Sequence, residues 1–113
     1  MKRLWITGYG GFVGSHVARF AGPEWEVLGI ARRAVAPVTD RMTTAKVDLR
    51  DGAAVDALFR TAPPDAVIHC AAHADIEFCD ANRAEADALN VEATRRIAGR
   101  CAEIDARLVH GST

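Results

Sequence analysis

Apolar residues recur along this chain with two periods, and their alternation sets out five strands and three helices. Arg3–Thr7 is short, apolar and bounded by glycines, which predicts a buried strand. Over residues 11–21, Phe12, Val13, Val17, Ala18 and Ala21 fall at helical spacing, and Gly22-Pro23 stops the helix. Glu26–Ala31 predicts a second strand. Residues 32–44 are polar without a clear period and predict a loop, and Ala45–Asp48 predicts a short third strand. Asp51 stands where it can cap a helix over residues 52–61, with Val55, Leu58 and Phe59 facing inward, and Pro63-Pro64 ends it. Ala66–Cys70 predicts the fourth strand. Residues 81–103 predict one long helix: Leu89, Ala93, Ile97 and Cys101 stand four apart on one stripe, with Glu92 beside Arg95 and Arg96 on the wet side. Arg107–His110 predicts the fifth strand.

Strands alternating with helices at this spacing imply a parallel sheet with helices on both faces. The expected class is α/β, a doubly wound sheet in the order 3-2-1-4-5. A fifth strand with no helix following it would leave an apolar face uncovered, so the expectation is a truncated domain.

Composition narrows the function classes. Half of the 113 residues are hydrophobic, 26% are charged and the mean hydropathy is zero, an ordinary globular balance. No apolar run approaches the roughly 20 residues that cross a bilayer, and the N-terminus is too short in apolar residues for a signal peptide. Cys70, Cys79 and Cys101 are odd in number and far apart, which argues against a disulfide scaffold and for a cytoplasmic location. The first fifty residues carry eight basic against four acidic side chains, the remainder six against eleven. Neither half has the basic patch of a nucleic-acid binder, and neither nucleic acid nor membrane is an expected partner. His69, Cys70, His73 and Cys79 cluster in sequence, but neighbours on a strand point to opposite faces, so no metal site is expected.

The chemistry concentrates in Thr7-Gly8-Tyr9-Gly10-Gly11-Phe12-Val13-Gly14, between the first strand and the first helix. Glycines there permit positive φ and close backbone approach, and N–H groups at a helix start attract an anion, so a diphosphate is expected on the N–H groups of residues 11–13. A G-x-G-x-x-G match from Gly8 fails at Val13, and a P-loop fails because no lysine follows before Lys46. The pattern that fits is G-x-x-G-x-x-G on Gly8, Gly11 and Gly14. Arg32-Arg33 ends the second strand without a carboxylate. It is either a solvated loop pair or a bidentate partner for a ribose 2′-phosphate, which favours NADP(H) with NAD(H) as the alternative.

The fingerprint T-G-x-x-G-x-x-G resembles that of the extended short-chain dehydrogenases/reductases, the epimerase/dehydratase superfamily with its Rossmann fold. Along the whole chain further stretches are similar to that family. Asp48-Leu49 resembles the pair that meets the adenine ring, although Asp48 could simply cap the next turn. His69-Cys70-Ala71-Ala72 resembles the small-residue turn under the nicotinamide ribose. Asn90-Val91-Glu92-Ala93-Thr94 resembles an N-V-x-G-T stretch, with Asn90 either near the site or half-exposed. Gly111-Ser112-Thr113 resembles the strand end whose last hydroxyl, here Thr113, sits beside the reacting carbon. The segment Ala72-His73-Ala74-Asp75-Ile76-Glu77-Phe78-Cys79-Asp80 is most similar to the dTDP-4-dehydrorhamnose reductase branch, with its acidic residues exchanged. The resemblance implies a cofactor-binding domain over residues 1–113. It implies further that this domain belongs to a reductase expected to use NADPH on a keto group of a nucleotide-linked sugar, with a Tyr-x-x-x-Lys pair further on and a homodimer expected at full length. The family also holds epimerases and dehydratases that retain NAD(P), and a non-catalytic NADP-binding regulator is a further alternative.

Overall fold

The computed structural model describes residues 2–70, 82–84 and 88–110; the side chains of Phe12 and of residues 88–90 are outside that description. The order is β1 (Lys2–Thr7), α1 (Phe12–Phe20), β2 (Trp25–Ala31), β3 (Met42–Lys46), α2 (Gly52–Thr61) and β4 (Ala66–His69). A π-helical turn, Ala88–Ala93, then runs into α3 (Thr94–Glu103), and β5 (Arg107–His110) follows. All five strands pair in parallel in the order β3-β2-β1-β4-β5, as the alternation of elements predicts.

Both faces of the central strand are covered because its side chains alternate between two buried layers. Leu4 and Ile6 join Tyr9, Ala18, Val27 and Met42 on the α1 side. Trp5 packs on the other side with Phe59 of α2, ring centroids 4.3 Å apart, and with Ile97 and Cys101 of α3. The Trp5 indole N–H donates to the Ala62 carbonyl at 2.9 Å, so the polar end of this buried ring is satisfied. Asp51 caps α2 as expected, its Oδ1 accepting from Ala54 N–H at 3.2 Å.

Three expectations shift. The third strand is Met42–Lys46 rather than Ala45–Asp48: its register runs from Met42 opposite Val27 to Lys46 opposite Ala31. As an edge strand it buries only Met42, so an apolar run was the wrong signal and β-branched Thr43 and Thr44 carry it instead. Asp48 therefore lies in the turn beyond the strand. The long helix is not uniform, since the π turn at Ala88–Ala93 adds a residue to the ladder around Asn90. Arg96 leaves Glu92 to Arg95 (3.8 Å) and reaches across to Asp56 of α2 at 3.4 Å, where Arg100 also binds at 3.0 Å.

Candidate functional site: the carboxyl edge of the sheet

The strand registers bring Thr7, Ile30, Ala31, Lys46, His69 and His110 to one edge. The order of strand addition reverses between β1 and β4, since the chain winds out from β1 to β3 and returns to the other side of β1 as β4, and in open α/β sheets ligands bind outside the carboxyl ends at such a switch point. The glycine turn stands there. Gly8 has φ 66°, a left-handed conformation that suits a residue without Cβ. A Cβ on Gly14 would lie 2.5 Å from the Gly8 carbonyl oxygen and 3.0 Å from Tyr9 Cα, so only glycine lets α1 start this close to the turn. Gly11 is the N-cap, extended at φ −86° and ψ 173°, and no side chain caps the helix. Its own N–H donates to the Gly8 carbonyl at 2.9 Å. Of the N–H groups of residues 11–13, that of Gly11 is therefore engaged within the turn, whereas those of Phe12 and Val13, like that of Gly14, have no carbonyl four residues back within the helix. Gly14 is buried and Val13 is 59% exposed.

Tyr9, inside the glycine turn, is a core residue and not a ligand contact. Its ring is 1% exposed, its hydroxyl donates to the Ala36 carbonyl at 2.6 Å, and its N–H donates to Ile30 at 3.2 Å. The ring lies over Gly29 of β2, where a Cβ would meet Tyr9 Cγ at 2.8 Å and Met42 Cε at 2.5 Å. The isolated glycine within a strand pattern was the available signal for that close approach.

A buried polar chain fixes the strand ends. His69 is fully buried; its Nδ1 lies 2.6 Å from Thr7 Oγ1 and its Nε2 lies 2.8 Å from Thr94 Oγ1. Thr7 Oγ1 also accepts from the Cys70 N–H at 3.0 Å. Burial pushes the His69 imidazole down to about 4, with His110 (ring centroid 5.3 Å away) adding to the shift, so it is neutral at pH 7. Both its nitrogens are occupied. Cys70 is half-buried, and burial raises its thiol above the ordinary range, so it is a protonated small residue at the strand end.

On the other side of the switch point lie the residues expected at the adenosine end. Arg32 and Arg33 are exposed just past β2. Leu49 is 6% exposed within the α2–α3 core, anchoring the turn beyond β3. Asp48 accepts from the Arg50 backbone N–H at 3.0 Å and from its guanidinium, Nε at 2.9 Å and Nη2 at 2.7 Å. The hydrogen-bonded Arg50 side chain, more than offsetting desolvation, lowers the Asp48 carboxyl to about 2, and Arg32 adds to that pull. The structure thereby joins Arg32 and Asp48 into one charged cluster, with Arg50 as the member that sequence reasoning missed. Asn90 lies in the π turn, Ala71, Ala72 and Thr113 lie outside the described residues, and nothing further is assigned to them geometrically. Away from this edge, an apolar groove of about 590 Å³ opens between α1 and β4–β5, lined by residues such as Val17, Phe20 and Val109.

A family profile described as the RmlD substrate binding domain matches residues 1–113. The chain belongs to that family. It is an extended short-chain dehydrogenase/reductase, as its glycine fingerprint implies. It is 37% identical over 112 residues to a dTDP-4-dehydrorhamnose reductase of Mycobacterium tuberculosis, covering 99% of this chain and 33% of that protein. It is also 32% identical over 113 residues to methionine adenosyltransferase 2 subunit beta of Xenopus tropicalis, covering 99% of this chain and 32% of that one. Among solved structures, the UDP-glucose 4-epimerase of Thermus thermophilus in complex with NAD superposes with a TM-score of 0.81 at 28% identity, over 98% of this chain and 37% of that one. The chain spans about a third of the length of the curated relatives it matches.

Proposed function

We propose that residues 1–113 are the dinucleotide-binding part of an NADPH-dependent oxidoreductase that reduces a keto group of a nucleotide-linked sugar. One observation carries this reading: the uncapped start of α1, held against Gly8 by the bare Cα of Gly14, presents two backbone donors at the switch point. The dTDP-4-dehydrorhamnose reductase relative supports the reductase reading, and the NAD-bound epimerase supports a nicotinamide dinucleotide as the ligand class.

In this reading Gly8, Gly11, Phe12, Val13 and Gly14 receive the diphosphate. Asp48 and Leu49 meet the adenine, Arg32 and Arg33 meet the 2′-phosphate, and Cys70, Ala71, Ala72 and Asn90 border the nicotinamide ribose. The bound nicotinamide supplies hydride. Thr113 orients the substrate oxygen, and the Thr7–His69–Thr94 chain keeps β1, β4 and α3 in register.

The test is Gly11→Asp in the protein expressed from its complete coding sequence. Gly11 has the extended backbone of an N-cap, where aspartate is preferred over glycine by a few tenths of a kcal/mol. A Cβ there would lie 3.3 Å from the Gly8 carbonyl oxygen, which must give by a few tenths of an ångström, so thermal unfolding is measured alongside; in the folded variant the carboxylate occupies the donors that a diphosphate needs. Calorimetry should show dinucleotide affinity lost by about 100-fold or more, since an internal cap and a like charge both oppose it. Unchanged affinity refutes the site.

The relative named as a subunit of methionine adenosyltransferase favours a second reading, a dinucleotide-binding regulatory subunit without turnover. A retained-cofactor epimerase is a third. Stoichiometric NADPH oxidation with dTDP-4-keto sugars by the complete protein is expected of the reductase alone.

A further inference from the structure

The two strands that flank the switch point are tied at their carboxyl ends by side chains as well as by the ladder. Thr7 and His69 are register partners on β1 and β4, and like Trp5 and Val67 two residues before them they leave the sheet on the face that α3 covers. Both are fully buried. The imidazole meets a hydroxyl at each end, with Nδ1 2.6 Å from Thr7 Oγ1 and Nε2 2.8 Å from Thr94 Oγ1. Burial keeps the ring neutral, so one nitrogen donates and the other accepts. Neither can leave its threonine without stranding a polar atom in the core.

Thr7 passes this constraint on. Its Oγ1 also accepts from the Cys70 N–H at 3.0 Å, a shorter bond than the 3.3 Å from that N–H to the Thr7 carbonyl. The bonds close a ring across the switch point, from the imidazole to the Thr7 hydroxyl and back to the residue after His69. Next after Thr7 stands Gly8, whose left-handed φ of 66° opens the glycine turn. Next after His69 stands Cys70, which opens the turn that the proposed reading gives to the nicotinamide ribose. Two turns leaving neighbouring strands are thus set against each other by one hydroxyl, and an imidazole holds that hydroxyl in place. The Thr94 bond ends on the first residue of α3 and touches neither turn.

We infer that His69 is a positioning residue for the dinucleotide: by holding the Thr7 hydroxyl on the Cys70 N–H, it sets the spacing between the turn that takes the diphosphate and the turn that takes the nicotinamide riboside. This rests on the proposed reading of those turns as two halves of one cofactor site. A ligand that engages the glycine turn alone does not sense the spacing. The intact dinucleotide does, since one covalent chain must reach both turns.

The test compares NADPH with adenosine 2′-phosphate 5′-diphosphate, the same cofactor without its nicotinamide riboside, by calorimetry on the protein expressed from its complete coding sequence. Two variants separate the two bonds of the imidazole. An asparagine amide carries its polar atoms directly on Cγ, where Nδ1 stands; a glutamine amide carries them a bond further out, where Nε2 stands. His69→Gln should keep the Thr94 bond, lose the Thr7 bond and cut the affinity ratio of NADPH to the truncated ligand by about tenfold. His69→Asn should keep the Thr7 bond and, with it, the native ratio. Thr7→Val removes the hydroxyl at nearly constant shape and should repeat the loss, so the outcome does not hang on the folding of His69→Gln. The ratio is the readout, since a merely structural role would weaken both ligands alike. A native ratio in both His69→Gln and Thr7→Val overturns the inference, as does a loss in His69→Asn equal to that in His69→Gln. If the native protein binds the truncated ligand as tightly as NADPH, or binds neither, the reading of the two turns as one cofactor site fails, and the role of His69 falls with it.

Discussion

Arg32 and Arg33 directly follow β2 and are exposed; in the proposed reading they take the place of the carboxylate that accepts from the ribose hydroxyls in NAD-selective sites. Charge-assisted bonds to a 2′-phosphate contribute roughly 1.5–3 kcal/mol each, or about 10- to 100-fold in affinity. Replacing both arginines by alanine should therefore erase a preference for NADPH over NADH; equal binding of the two cofactors by the native protein would show that the pair is only solvated. Arg32 and Arg33 are legible in the sequence because their place follows from the end of a strand. Tyr9 is not. Its position in a glycine turn suggests exposure, and only the space above Gly29 draws the ring into the core. Arg50 was equally silent, since an arginine in a polar turn reads as a solvated charge until its fork is seen on Asp48.

His69 acts between elements, joining β1 through Thr7, β4 through its own backbone, and α3 through Thr94. Its pKa is depressed to about 4 by burial, against about 6.5 in an unfolded chain. Between those values the unfolded state binds more protons than the folded state, so stability rises with pH. The contribution is complete above about pH 6.5 and is lost as pH falls towards 4, by up to about 3 kcal/mol. Asp48 and Asp56, whose carboxyls are held down by Arg50 and Arg100, lose their contributions only at lower pH, in a separate window. Urea unfolding from pH 7.5 to 4.5 should show this slope in the native protein and a much flatter one in His69→Gln. An identical slope in the variant would place the acid sensitivity elsewhere. The element itself was predictable, as Ala66–Cys70 reads as a strand, but the partner on α3 lies 25 residues away and belongs to tertiary structure.

At the scale of the whole molecule, the chemistry proposed here requires a proton donor, and the described residues bring no tyrosine and lysine together to supply one. Tyr9 is the single tyrosine, buried and bonded to Ala36; Lys2 lies over Trp25 at the opposite edge of the sheet, and Lys46 ends the edge strand β3. A phenol with an ordinary pKa of about 10 needs a neighbouring ammonium to donate near neutrality, and no such pair forms among these residues. Residues 1–113 alone should therefore show no NADPH oxidation with dTDP-4-keto sugars, whereas the product of the complete coding sequence should. Comparable turnover from residues 1–113 would show that the proton comes from within them.

The amino-acid sequence alone determined the sheet order, the glycine turn at the switch point and the Asp51 cap, because each rests on local periodicity or on a residue type needed at one backbone position. Tertiary structure decided what depends on residues distant in the chain. The edge strand shifted to Met42–Lys46, since its pairing with β2 and not its own apolarity defines it. Arg96 turned from Glu92 to Asp56 because α2 packs beside α3. The Gly11 N–H was taken by Gly8, and the Asp48 carboxylate by the backbone N–H and guanidinium of Arg50. Spacing names the residues that can reach a site; which of their hydrogen-bonding groups are still open is settled only when the folded chain has satisfied the rest.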